Sequence, residues 1–158
     1  MLGNQDLTMG SGMFKKILIP TDGSQLSAKA AKAGVELARA LGAKVVAYYA
    51  LAPVPPEFLE SSTLSPQAYR QAETVAQQTG QNYVDKIEKI AKVAGVPFVS
   101  VVTKVASPHA GIIDVAKKQK CDVIVMASNG RSGLSKLLVG SVTQKVVALA
   151  HVPVVVYR

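Results

Sequence analysis

The sequence predicts an α/β fold: a single open parallel sheet with helices on both faces. Three observations carry this. Five short runs rich in Val, Ile and Tyr recur along the chain, four helical stretches separate them, and residues 17–19, 123–126 and 154–156 are continuously apolar. Alternating strands and helices pair in parallel, and continuously apolar strands suit a sheet covered on both faces. Right-handed crossovers leave few topologies, with the doubly wound flavodoxin-like or Rossmann-like sheet leading. The 158 residues make one domain, at ~100–200 residues per domain.

Residues 1–12 (MLGNQDLTMGSG) lack periodicity and read as a disordered tail ahead of a domain spanning 13–158. They have neither the basic nor the apolar region of a signal peptide. The first strand is expected at Lys16–Pro20 (KILIP). An Ala-rich helix, Ser24–Leu41, ends at Gly42, a residue suited to the left-handed position after a helix. Lys44–Ala50 (KVVAYYA) is the second strand, followed by a Pro-rich loop at 51–64. Ser65-Pro66 opens the second helix with a cap and a first-turn proline. Tyr69, Ala72, Ala76, Tyr83, Ile87, Ile90 and Ala94 continue it, mostly at three- and four-residue steps, to Gly95-Val96-Pro97. Gly80 is expected to loosen its middle. The third strand is Pro97–Lys104, and the third helix runs from Ser107-Pro108 to about Lys118. The fourth strand is Cys121–Ala127, a last helix follows Ser141, and Pro153–Arg158 is the final strand.

Composition excludes several function classes. Lys and Arg outnumber Asp and Glu by 18 to 10, giving a net charge of +8, but the cations are scattered and densest only at Lys117, Lys118 and Lys120. With no Trp, a base-stacking platform lacks material, so no nucleic-acid partner is expected. No apolar run approaches the ~18 residues of a membrane span, so no membrane partner is expected and the chain reads as cytoplasmic. Cys121 is alone, which rules out an intrachain disulfide and a Cys-based zinc site. It begins the fourth strand and packs as a small apolar residue. His109 and His151 lack the additional ligands a metal site needs. No Gly-x-Ser-x-Gly elbow supports a hydrolase triad.

In an open α/β sheet, ligands bind beyond the carboxyl ends of the strands. After the first strand comes Pro20-Thr21-Asp22-Gly23-Ser24. Asp22 can take a ribose hydroxyl or a magnesium ion carrying phosphate; alternatively, Asp22 or Ser24 caps the next helix. After the fourth strand comes Ala127-Ser128-Asn129-Gly130-Arg131-Ser132-Gly133, then residues 134–139, then Gly140-Ser141-Val142-Thr143-Gln144. Glycines admit close backbone approach, and Gly140-Ser141 opens a helix whose free amides favour an anion. Ser141 with Gln144 also fits a capping box. Arg131 and Lys136 either neutralise phosphate or are solvated loop charges. There is no Walker A Gly-Lys-Ser/Thr, nor a Gly-x-Gly-x-x-Gly after the first strand.

PTDGS, DVIVMASNGRSGLSKLLVGSVTQKVV and the final PVVVYR resemble the universal stress protein family over essentially 13–158. That family's nucleotide pattern is Gly-x2-Gly-x9-Gly-Ser/Thr. Gly130 and Gly140-Ser141 match it, Ala127 replaces its first Gly, and Asn129 stands where many members have His. The resemblance implies an adenine nucleotide alpha hydrolase-like sheet of strand order 3-2-1-4-5. It implies ATP (or AMP or ADP) with Mg across the strand ends, held by Pro20, Thr21, Asp22, Ala50, Met126, Ala127, Gly130, Gly140, Ser141, Val142 and Thr143. Asp22 would face the ribose, the phosphates or the metal, and Ala50 the adenine edge. It further implies a homodimer through Val154, Val155, Val156 and Tyr157, at most slow ATP hydrolysis or self-phosphorylation, and a stress sensor or regulator acting on a protein partner. ATP would act by ordering residues 128–140. Ala127 leaves a nucleotide-free dimeric interaction protein of the same fold as the alternative.

Overall fold

A computed structural model describes residues 12–53, 65–130 and 139–158. The elements are β1 (Lys16–Thr21), α1 (Gln25–Leu41), β2 (Lys44–Leu51), α2 (Pro66–Val93), β3 (Phe98–Lys104), α3 (Pro108–Lys118), β4 (Val123–Ala127), α4 (Ser141–Leu149) and β5 (Val154–Tyr157). The strands form one sheet in the order β3-β2-β1-β4-β5, and all pairings are parallel. Residues 1–11, and most of the loop expected at 51–64, lie outside the described residues.

The two-residue period of the strands sorts their side chains into two cores. Ile17, Ile19, Val45, Ala47, Val123 and Val125 point to one face, packed with Val35 and Ala38 of α1 and Val84, Ile87 and Ala91 of α2. Leu18, Val46, Tyr48, Ile124 and Met126 point to the other, packed with Ile112, Val115 and Ala116 of α3 and Val146 of α4. Each fully buried aliphatic side chain contributes ~1.5–3 kcal/mol relative to exposure. β1 and β4 are covered on both faces, as their sequences require. β5 is not: Val155 is 43% exposed, because β5 is an edge strand.

Local chemistry accounts for the helix boundaries. Ser24 and Ser65 cap α1 and α2 by accepting from the N–H groups of Ser27 and Ala68, both at 3.2 Å. Gly42 adopts φ +64° and closes α1. Ser107 precedes α3 but makes no side-chain cap; its hydroxyl lies 2.8 Å from His109 Nδ1 instead. Gly80 does not interrupt α2, which is continuous. A Cβ there would come within 2.6 Å of the Tyr49 ring, so this glycine admits a close approach. Gly111 on α3 does the same for the buried Tyr48, whose hydroxyl a Cβ would overlap. That hydroxyl lies 2.9 Å from Thr103 Oγ1, and burial raises the Tyr48 pKa.

At the amino ends of the strands, Asp122 clamps the start of β1. Its Oδ2 accepts from the Lys15 and Lys16 N–H groups at 2.7 and 2.8 Å, and its own N–H donates to the Lys16 carbonyl at 2.8 Å. Cys121 beside it is buried, and that burial pushes its thiol up to about 11. Such a thiol is a packing group rather than a nucleophile at neutral pH.

Candidate functional site

The site opens where β1 separates from β4. The Lys16 carbonyl accepts from Asp122 N–H on the β4 side, so Leu18 and Pro20 face the same way by alternation. The β1–β4 ladder ends at Leu18↔Ile124, whereas β1–β2 continues to Thr21↔Tyr49. Pro20 has no N–H to offer β4. The crevice thus falls where the crossovers diverge, β1 feeding β2 on one side and β4 lying on the other.

A cavity of about 260 Å³ occupies this crevice. Pro20, Thr21, Asp22, Ala50, Met126, Ala127, Gly130, Gly140, Ser141, Val142 and Thr143 all line it. The structure thus brings together on one cavity wall the residues that the resemblance names for the nucleotide. It adds Ser27, Tyr48, Tyr49, Pro108, Ile112 and Asn129. Arg131 and Lys136 lie outside the described residues.

The β1–α1 loop sets the position of Asp22. Gly23 adopts φ +80°, and its N–H donates to Thr21 Oγ1 at 3.1 Å. Thr21 Oγ1 also lies 3.1 Å from Ser27 Oγ. Asp22 Oδ1 accepts from Ser24 N–H at 3.0 Å, so Asp22 holds the cap residue in place while Ser24 does the capping. Asp22 Oδ2 faces Gly130, where a Cβ would stand 2.7 Å away.

Across the crevice, Ser128 ties three segments. Its N–H donates to the Tyr157 carbonyl at 2.7 Å, and its carbonyl accepts from Gly140 N–H at 2.8 Å. Gly140 is the N-cap of α4, at φ −63° and ψ 153°, and has no side chain of its own with which to cap the helix. The capping box expected of Ser141 and Gln144 is therefore not formed. Ser141 is already inside the helix, and Gln144 Nε2 donates to the Val139 carbonyl at 2.6 Å. Thr143 is buried and donates to the Ala127 carbonyl at 2.9 Å, which fastens the first turn of α4 to the end of β4.

Ala127 replaces a glycine without backbone strain. It lies in β4, and among the described residues Lys120 is the sole non-glycine with positive φ. Ala127 itself is part of the cavity wall.

Asp22 is the one charged side chain among the described lining residues. The rest of the wall is neutral, and the first residues of α3 and α4, Pro108 and Ser141, both lie on it. Helix starts carry partial positive charge and orphan amides. The arrangement offers an anion backbone donors and an apolar body a lining of Tyr48, Tyr49, Ile112 and Met126. No group of three or more His, Cys, Asp or Glu able to hold a metal occurs among the described residues. One carboxylate fits a magnesium ion shared with ligand phosphates, not a metal held by protein alone. Also among the described residues, no helix is long and apolar enough to cross a membrane.

Known proteins are similar to this chain in sequence and fold. The universal stress protein family model matches residues 13–158. Universal stress protein MJ0531 of Methanocaldococcus jannaschii is 33% identical over 155 residues, covering 98% of this chain and 88% of that relative. The structure of protein MJ0577 from the same organism superposes with TM-score 0.75 at 24% identity, covering 92% of this chain and 96% of that one. A universal stress protein in complex with cAMP gives TM-score 0.68 at 21% identity, covering 92% and 98%. An Arabidopsis thaliana family protein with AMP bound gives 0.65 at 15% identity, covering 90% of each chain. The family match along the folded chain, together with the identity to the Methanocaldococcus relative, establishes that this chain belongs to the universal stress protein family.

Proposed function

We propose that this protein binds an adenine nucleotide, ATP with magnesium, in the strand-end cavity, and that it acts as a dimeric stress sensor or regulator. The observation carrying the reading is the convergence of Asp22, Gly130 and the glycine-led start of α4 on one cavity. In this reading the α4 amides, from Ser141 onward, receive phosphate. Asp22 stands beside Gly130, placed to take a ribose hydroxyl or to share a magnesium ion with the phosphates. The base lies toward Ala50 and the apolar wall. The relatives in complex with cAMP and AMP support the ligand class. Binding suits the site better than turnover. Hydrolysis needs a positioned water, a base and stabilised transition-state charge, whereas Asp22 already accepts from Ser24 N–H.

The dimer would form through Val154, Val155, Val156 and Tyr157. The two sheet edges differ in character. β3 carries Ser100, Thr103 and Lys104 along with its apolar residues, whereas β5 is VVVY. Val155 is exposed on it, as are Val147 and Leu149 on α4. An apolar edge strand of this kind is protected by pairing.

Calorimetric titration of desalted protein with ATP and magnesium tests the ligand. Micromolar binding that Asp22→Ala weakens is expected. No binding by nucleotide-free protein would favour the nucleotide-free interaction protein, the reading that the Ala127 methyl on the cavity wall supports. Sedimentation equilibrium tests the assembly: the wild type should run as a dimer and Val155→Lys as a monomer.

A further inference from the structure

Helix α2 contributes no described residue to the cavity wall, yet it contacts Tyr49, which does, and Gly23, the neighbour of the lining residue Asp22. Tyr49 lines the cavity, and its ring centroid lies 5.5 Å from that of Tyr83 on α2, tilted by 41°. Gly80, one turn earlier on α2, leaves room for the Tyr49 ring. The other end of the Tyr83 ring lies against the backbone of Gly23, so closely that a Cβ there would overlap Cζ and Cε1. Gly23 is also held at φ +80°, a conformation that L side chains rarely adopt. Lys86 lies 5.6 Å from the centroid of the same ring. The ring thus bridges the end of β2 and the β1–α1 loop, in which Asp22 directly precedes Gly23.

Resting on the nucleotide-binding reading above, we infer that Tyr83 is a positioning residue for the site. Its ring wedges between Tyr49 and Gly23 and so sets where Asp22 stands, without touching the ligand. A site pre-formed by packing binds more tightly than one that must be ordered on binding. The ring supplies the contacts with both Tyr49 and Gly23. Gly80 belongs to the same device, since a side chain there would push Tyr49 toward the cavity.

The test uses the full chain as wild type, Tyr83→Ala and Tyr83→Phe, with two readouts. The first is amide hydrogen exchange of the ligand-free protein. Tyr83→Ala should speed exchange at residues 22–24, including the Ser24 amide bound to Asp22, while residues 112–116 across the sheet exchange as in wild type. Tyr83→Phe should match wild type at both. The second is titration with ATP and magnesium: Tyr83→Ala should bind about ten-fold more weakly, equivalent to ~1.4 kcal/mol, and Tyr83→Phe within two-fold of wild type, about 0.4 kcal/mol. In an Asp22→Ala background, Tyr83→Ala should cost nothing further, because the group it positions is gone.

Exchange at 22–24 that is unchanged, or that rises equally at 112–116, would overturn the inference, as would a Phe variant behaving like Ala. Faster exchange at 22–24 with unaltered affinity would overturn it too, by separating the loop from the site. If wild type binds no nucleotide while exchange changes as expected, the ligand reading falls and the control of the loop by Tyr83 stands.

Discussion

Replacing Gly140 by Ala should weaken adenine-nucleotide binding by about 100-fold, or ~2.7 kcal/mol, and leave the melting temperature within about 2 °C of wild type. The asymmetry follows from the geometry. Gly140 sits at φ −63° and ψ 153°, which alanine adopts freely. A Cβ there would meet Asn129 Cα and the Ser128 carbonyl oxygen at 3.4 Å, ordinary contact distance. Alanine is a poorer N-cap than glycine but loses less entropy on folding, and the two effects oppose. The added methyl nevertheless stands against Asn129 on the cavity wall, where a bound phosphate would need room. Gly130→Ala is the less informative change. Its Cβ would sit 2.7 Å from Asp22 Oδ2, so it displaces a protein group before any ligand arrives. Calorimetric titration and thermal melts of Gly140→Ala check both halves of the prediction. Undiminished binding would remove the α4 start from the site.

Gly111→Ala should have the largest effect on stability, lowering it by about 2–3 kcal/mol through overpacking. For a domain of this size that is a fall of roughly 4–12 °C in melting temperature. The new Cβ would overlap the Tyr48 hydroxyl and stand 3.0 Å from Val105 Cγ2. Tyr48 is buried and its hydroxyl is bonded to Thr103, so moving the ring aside costs that bond and the packing around it. Removing the obstructing atom should relieve the clash. The double variant Gly111→Ala, Tyr48→Phe should regain at least half of the loss, a non-additivity expected of touching residues. Thermal unfolding of the three variants measures it. A double variant as unstable as the sum of its singles would show that the hydroxyl is not the obstacle.

The fold was legible because each strand announced itself. KILIP, KVVAYYA and CDVIVMA each carry an apolar run bounded by charge or turn residues, and each became a strand within a residue or two of its expected ends. The part of the site carried by contiguous motifs was equally legible. Pro20-Thr21-Asp22 and Gly140-Ser141-Val142-Thr143 each follow or precede an element boundary, so topology alone delivers them to the crevice. Tyr48, Tyr49, Pro108 and Ile112 were not legible as site residues. Each has a sufficient role as a core or helix-start residue, and only the packing of the helices against β2 puts them on the wall. Gly80 was misread because a lone glycine in a helix signals weakness by propensity; its reason is a tyrosine ring from another element. The Ser141–Gln144 box failed for a similar cause, since the Gln144 side chain found the Val139 carbonyl instead.

The clamp at Asp122 fixes when the molecule becomes whole. Asp122 binds backbone groups 106 and 107 positions earlier in the chain, and β1 is the central strand. During synthesis, β1, β2 and β3 exist well before β4, and long-range pairings of this kind form slowly. Until β4 emerges, one side of the central strand lacks its hydrogen-bonding neighbour and the crevice has a single wall. Gly130 and the start of α4 come later still. On the nucleotide-binding reading, a ligand would meet only completed chains and add its binding energy to finished molecules alone. Occupancy would then mark maturity, separating molecules that have closed their sheet from nascent or clipped ones that have not.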